Sequence, residues 1–268
     1  MKKLFYFAFL CGAFVLAGCN REDSNKPDLK KTHAFSISKN KKVLFSKGNL
    51  QYHPLNNEWR FAESQLDRMN EVKEEDLSAT YNGWIDLFAW GTGDCPTKVG
   101  SDTAFVKFVD WGTNKIGNDK PNTWRTLTNE EWEYLFSGRN NADSLCAIAQ
   151  IAGMNGLVLL PDNWICPNDV VLKLGFYGGM SEKNYAKHQT LTLEDWTILE
   201  KSGAIFLPVN EDDPFGYYKN NVGIYWSSVL DEITNSFAYY ASIDPSGAYC
   251  SLFDKKSKRF FVRLVKDL

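Results

Sequence analysis

The sequence predicts an α+β domain with an antiparallel sheet, two main helices and long loops. Three observations carry that expectation. Apolar and polar residues alternate where the body of the chain opens, at Ala34. Two later segments begin with helix-start signals, at Thr128 and Thr192. The C-terminal portion is then a succession of strand-like runs, and helices segregated from strands are the mark of an α+β arrangement.

Residues 34–38 alternate as a half-buried strand does, and 43–46 and 49–52 follow, divided by Lys47-Gly48. The cluster His53-Pro54-Leu55-Asn56-Asn57 is a turn, and Trp59-Arg60-Phe61 opens another strand, so the Asn49 and Trp59 runs are expected to pair as a hairpin. Residues 64–80 are polar and charged, a loop or short helix, and 83–91 form an aromatic run ending in glycine. Thr128 stands three residues before Glu131, the capping-box spacing. Trp132, Leu135 and Phe136 then share a face, and Gly138 can end that helix. The second helix starts at Thr192, carries Trp196 and Leu199 on one face and stops at Gly203. Residues 204–208 read as a buried strand. Strands follow at 223–228, 236–243 and 260–265, with a short one at 248–253, and Trp226 is expected in the core.

The N-terminus is a different kind of sequence. Lys2 and Lys3 give a positive start, and residues 4–17 are uncharged and mostly apolar. That run is shorter than the roughly 20 residues of a membrane-spanning helix and reads as a signal peptide, residues 1–18. It ends in Leu16-Ala17-Gly18-Cys19, which resembles the lipobox of bacterial lipoproteins. The resemblance implies cleavage before Cys19 and a diacylglycerol on its sulfur; acyl chains anchor at about 0.8 kcal/mol per buried methylene. The other reading is an ordinary cleaved signal that ends in a cysteine. Residues 19–33 follow as a polar tether without the apolar surface to order itself. Within it, Arg21-Glu22-Asp23 resembles the surface-export signal of some Gram-negative lipoproteins, against a generic solvated linker. Attachment to the outer membrane and display at the cell surface are the expectation, with residues 34–268 as a single domain.

The formal net charge is −3, and no basic stripe suggests a nucleic-acid partner. Lys255, Lys256, Lys258 and Arg259 are the densest cations and read as a solvated turn. Aromatic residues make up 15% of the chain and nine are tryptophan, enough for a rich core, an aromatic binding surface, or both. Cys95, Cys146, Cys166 and Cys250 remain in the body. An exported protein can form disulfides, but no C-x-x-C spacing occurs and no pairing is assigned.

The stretch Trp124-Arg125-Thr126-Leu127-Thr128-Asn129-Glu130-Glu131-Trp132-Glu133-Tyr134 resembles a signature of formylglycine-generating-enzyme-like domains, with an extra Thr126 and no proline. Residues 34–268 also look like secreted lipoproteins similar to the target proteins of diversity-generating retroelements. That likeness is carried by residues 45–52, 59–62, 160–164 and 202–208 and by Tyr225-Trp226-Ser227-Ser228, and the chain ends as many of the C-type-lectin-like fold do, with Phe261-Val262-Arg263-Leu264-Val265 after that strand. The resemblance implies a C-type-lectin-like fold whose C-terminal strands and loops form a ligand-binding face.

For an enzyme, the same resemblance implies a cysteine pair near the C-terminus. Only Cys250 follows Cys166, so the pair is missing, and a lone thiol needs a lowered pKa to react. The histidines His33, His53 and His188 are too scattered to suggest a zinc site or an acid–base pair. No nucleophile elbow, phosphate loop or dinucleotide fingerprint occurs. No catalytic residue is assigned. Calcium is the one cofactor considered: Glu211-Asp212-Asp213-Pro214 is a carboxylate cluster of the kind that ligates it, or a solvated loop. The motifs of sugar-binding C-type lectins are absent.

A surface remains. Tyr239, Tyr240, Ser242, Ser246, Tyr249, Ser251 and Phe253 lie close together near the C-terminus. Tyrosine and serine make adaptable contact surfaces, with ring area at low entropic cost and small hydroxyls for hydrogen bonding. The competing reading is that alternate residues fill the core. On a sheet covered on one side, Tyr239 and Tyr240 cannot both be core. The expectation is a non-catalytic protein that binds an extracellular protein or glycan there. The alternatives are a degenerate formylglycine-generating-type enzyme and a structural subunit of a surface assembly.

Overall fold

The computed structural model describes residues 33–69, 72–175, 184–210 and 221–268, with Ser251 described through its backbone alone. The signal sequence, Cys19 and the tether as far as residue 32 lie outside the described residues. Among those described, the chain is mostly β with a few short helices, and no helix is long and apolar enough to cross a membrane.

In chain order the elements begin with β1 (Phe35–Ser36), β2 (Lys42–Phe45), β3 (Leu50–His53), β4 (Glu58–Phe61), β5 (Leu87–Ala89) and β6 (Arg125–Thr126). Helix α1 (Asn129–Glu133), β7 (Cys146–Ile151), β8 (Met154–Leu159), α2 (Tyr185–His188), β9 (Thr190–Leu191), α3 (Leu193–Lys201) and β10 (Ile205–Pro208) follow. The C-terminal strands are β11 (Gly223–Leu230), β12 (Phe237–Asp244), β13 (Gly247–Lys255), β14 (Arg259–Phe261) and β15 (Leu264–Asp267).

The expected hairpin is β3–β4, with Tyr52 opposite Trp59. The capping box also forms. The Thr128 hydroxyl accepts from the Glu131 amide at 3.2 Å, and the Glu131 carboxylate accepts from the Thr128 amide at 2.9 Å. Beyond α1 the last turn, Tyr134–Gly138, widens to a π-helix, and the Arg139 amide donates to the Tyr134 carbonyl. The buried Arg139 guanidinium donates to the carbonyls of Leu135, Leu145 and Leu160 and lies 3.5 Å from Asp162. Asp162 in turn accepts from the Ser36 amide and hydroxyl and from Lys42, tying β1 and β2 to that corner.

Strands β13-β12-β11-β14-β5 form a five-stranded sheet, antiparallel except for the β11–β14 pair. Strands β1-β2-β15-β6 form an antiparallel sheet, and β10-β8-β7-β9 a mixed one. The five-stranded sheet is covered on both faces, and period-two alternation divides its residues between two apolar clusters. Leu87, Tyr225, Ala241, Ile243 and Phe261 join one cluster, with Trp132 of α1. Phe88, Ile224, Trp226, Ala238, Tyr240 and Phe260 join the other, with Trp59 and Trp111. A third cluster sets Trp196 and Leu199 of α3 against the β7–β8 hairpin and Phe206.

One hairpin has no counterpart among the expected elements, and three expectations change. The β7–β8 hairpin turns on Ala152-Gly153, both at positive φ, without the Asn-Gly signal of such turns. The strand expected to be short at 248–253 is the nine-residue β13. The single strand expected at 260–265 is two: β14 pairs with β11 and β5, and β15 leaves for β2 and β6. The switch falls at Val262-Arg263, where the Val262 carbonyl accepts from Leu50 and the buried Arg263 guanidinium reaches Gln65 at 2.5 Å. Lys256 is not part of a solvated turn: it is buried, its ammonium donates to the Phe105 carbonyl, and it lies 5.9 Å from the Trp90 ring.

Candidate functional site

The residues expected to bind a ligand all fall on β12, β13 and the turn between them. That turn is held by Asp244, whose carboxylate accepts from the amides of Ser246 and Gly247 and from the Ser246 hydroxyl at 2.5 Å. The Ser246 hydroxyl also lies 2.8 Å from the Tyr249 hydroxyl. A polar knot of four residues thus sets the position of the Tyr249 ring.

Register decides what the two strands present. Tyr239 pairs with Phe253 and Tyr240 with Leu252, but Ser242 pairs with Tyr249. Cys250 and Ser251 therefore stand opposite Ala241 alone, a β-bulge. Simple alternation would place Tyr249 and Phe253 on one face; the bulge puts them on opposite faces. Phe253 joins Tyr239 and Phe237, with ring centroids 5.8 and 5.7 Å away in edge-to-face contact. Tyr249 lies on the Ser242 side with the Ser246 knot.

Tyr240 and Ser242 do not belong to the surface. Tyr240 is 5% exposed, between Trp226 at 6.4 Å and Phe260 at 5.4 Å, and burial raises its pKa. Ser242 is buried beside it. The reason is the two-sided cover of the sheet, which leaves the Tyr240 face as much core as the other. Tyr239 is half-buried, and the Ser251 side chain lies outside the described residues.

Exposure concentrates on β13, the edge strand: Tyr249 is 37% exposed, Leu252 42% and Phe253 50%. Leu252 and Phe237 were missed by the sequence reading. The parity of Phe237 with Tyr239 was a usable signal; Leu252 had none, because the bulge sets its face.

The reactive groups sit elsewhere. All four body cysteines are free thiols. Burial, and after it the Glu133 carboxylate, pushes the Cys250 thiol up to about 12, and burial does the same for Cys146. His53 packs edge-on to Trp84 at 5.2 Å, and neither ring nitrogen of the buried His188 has a hydrogen-bond partner among the described residues. The carboxylates of Glu211, Asp212 and Asp213 lie outside the described residues; among those described, no three His, Cys, Asp or Glu residues are grouped to hold a metal.

No protein-family model, curated protein or solved structure matches the chain.

Proposed function

We propose that the mature chain is an outer-membrane lipoprotein, anchored through Cys19 and displayed at the cell surface, that binds an extracellular protein or glycan without catalysis. The binding element is the C-terminal part of a C-type-lectin-like domain. The observation that carries this reading is the edge strand β13, with Tyr249, Leu252 and Phe253 turned to solvent. An edge strand offers unpaired main-chain groups to a partner, and exposed aromatic rings supply contact area at low entropic cost. Support for the anchor comes from Lys2, Lys3, the apolar run and Leu16-Ala17-Gly18-Cys19. Support for the fold comes from the Trp124–Tyr134 signature and from short helices packed on mostly antiparallel sheets.

The enzyme alternative needs a thiolate at Cys250. A thiol pushed up to about 12 is almost wholly protonated at neutral pH, which weighs against it.

The test is binding of the full chain, in detergent, to arrayed glycans and surface proteins, beside a Tyr249→Ala, Phe253→Ala variant and with and without a calcium chelator. Loss of binding in the variant alone supports the β13 surface. Binding that the variant leaves intact moves the site, and loss on chelation brings calcium back. Stable co-purification with a membrane partner, without array binding, favours the assembly-subunit alternative. For the anchor, Cys19→Ser should release the protein from the membrane fraction.

A further inference from the structure

A groove of about 570 Å³ opens where β2, β4 and the turn at residues 116–119 meet, away from every residue of the β13 surface. Its floor is apolar, with Phe45, Phe61, Ile116 and Ile205. Trp124 forms a wall. Its indole sits edge-on to Phe61 at 5.0 Å and donates to the Asp119 carboxylate at 2.9 Å. The backbone beneath is held as tightly: a Cβ on Gly112 would lie 1.8 Å from the Trp124 carbonyl oxygen. The turn is pinned to β4 by the Gly117 amide donating to the Trp59 carbonyl at 2.8 Å.

The rim is charged but balanced. Arg60 is stacked on Trp84 at 3.7 Å, donates through Nε to Gln51 at 2.8 Å and lies 3.5 Å from Glu63. Lys47, also cationic, and Asp119 complete the set, so two cations face two carboxylates. Such a rim exerts no net field to hold a polyanion or a polycation. It offers donors and acceptors side by side, above an aromatic wall and an apolar floor. A ring that is apolar on its faces and bears hydroxyls around its edge meets both requirements. The groove also shares Phe45, Lys47 and Ile205 with an adjoining cavity of about 390 Å³ that runs to Glu200 and Gly203, so the trough outlasts a single ring. The Glu200 carboxylate, which accepts from Gln65, adds one acid beyond the two cations and so disfavours an acidic ligand.

We propose that this trough binds a neutral oligosaccharide of several hexose units. Trp124 is the stacking wall, Glu63 and Asp119 accept from hydroxyls, and Arg60 and Lys47 donate to them. The proposal rests on the extracellular exposure in the reading above and not on its C-terminal strands.

The test is calorimetric titration of the full chain, in a detergent without a sugar headgroup, with malto-, cello- and mannohexaose, and with an oligogalacturonate as the acidic control. At least one neutral hexaose should bind, in preference to the acidic one. Trp124→Ala should weaken binding by about tenfold or more, as loss of a ring contact does. Glu63→Gln and Asn118→Ala should each weaken it several-fold, since both line the groove at exposed positions and the Asn118 amide, on the turn at residues 116–119, can bond a hydroxyl. Tyr249→Ala, Phe253→Ala should leave it unchanged. No neutral hexaose binding, preference for the acidic control, or binding that survives both exposed-position changes overturns the proposal. Loss in the Tyr249, Phe253 variant would also overturn it, while supporting the β13 surface.

Discussion

Arg125 grips Glu131 with both prongs of its guanidinium, Nη1 to Oε2 at 2.7 Å and Nη2 to Oε1 at 2.9 Å. The same carboxylate caps α1 through the Thr128 amide, so one residue closes the helix start and joins it to β6. Asp267 of β15 takes the other side of Arg125 at 2.8 Å. Arg125→Ala should destabilise the domain by about 1–2 kcal/mol, the worth of a charge-assisted fork plus a weakened cap. Arg125→Lys should recover less than half of that, because an ammonium cannot fork. Asp267→Ala, at a largely exposed carboxylate, should cost under about 1 kcal/mol. Denaturant midpoints of the three variants check the ordering.

Asp86 makes stability fall with rising pH. Its carboxyl is buried, and burial raises its pKa to about 7 against the opposing pull of the Met69 amide and Arg259. In the unfolded chain it ionises near 3.9. Between those values the folded state binds the extra proton, so stability declines as pH rises from about 4 to about 7 and then levels off, by a total on the order of 4 kcal/mol. Asp86→Asn keeps an oxygen for the Met69 amide and removes the titration. Melting curves at pH 5, 6, 7 and 8 should show the native protein losing stability relative to the variant across that window. A constant difference would refute the assignment. Comparing the two proteins cancels His33, whose lowered pKa acts in the opposite sense.

What the sequence disclosed was mostly local. Thr128 with Glu131, the turn between Tyr52 and Trp59, the buried run before Pro208 and the core position of Trp226 each follow from spacing or from a few adjacent residues. The β7–β8 hairpin stayed hidden because Cys146–Ile151 has no aromatic residue and sets its two β-branched residues, Ile148 and Ile151, among Cys146, Ala147 and Ala149, and its Ala152-Gly153 turn lacks a polar first residue. The break after Phe261 was hidden because Val262 and Leu264 continue the apolar run on either side of Arg263. At the recognition surface the obstacle was long-range. Nothing near Cys250-Ser251 announces a bulge, yet that bulge alone sends Tyr249 and Phe253 to opposite faces, and only the second apolar cluster explains why Tyr240 turns inward.

The cysteines should fall into two classes. Cys95 and Cys166 are exposed; Cys146 and Cys250 have thiols pushed up to about 12 by burial. Brief iodoacetamide treatment at pH 7.5, read by mass spectrometry, should label the first two and spare the second until denaturant is added. Fast labelling of Cys250 in the folded protein would revive the catalytic alternative.

The two neighbouring tyrosines separate stability from recognition. Tyr240 packs among Trp226 and Phe260 inside the second cluster, so Tyr240→Ala should cost about 3–5 kcal/mol, as large-to-small changes of buried aromatics do. Phe253→Ala removes a ring that is half in solvent and should cost only about 1 kcal/mol. Tyr239, half-buried and edge-on to Phe253, should fall between them. If β13 is the contact surface, ligand affinity of the folded variants should rank in the reverse order, with Phe253→Ala losing most and Tyr240→Ala losing least. Denaturation and binding measured on the same purified variants give both rankings. A shared ranking would mean that binding merely tracks folding, and the β13 surface would lose its claim.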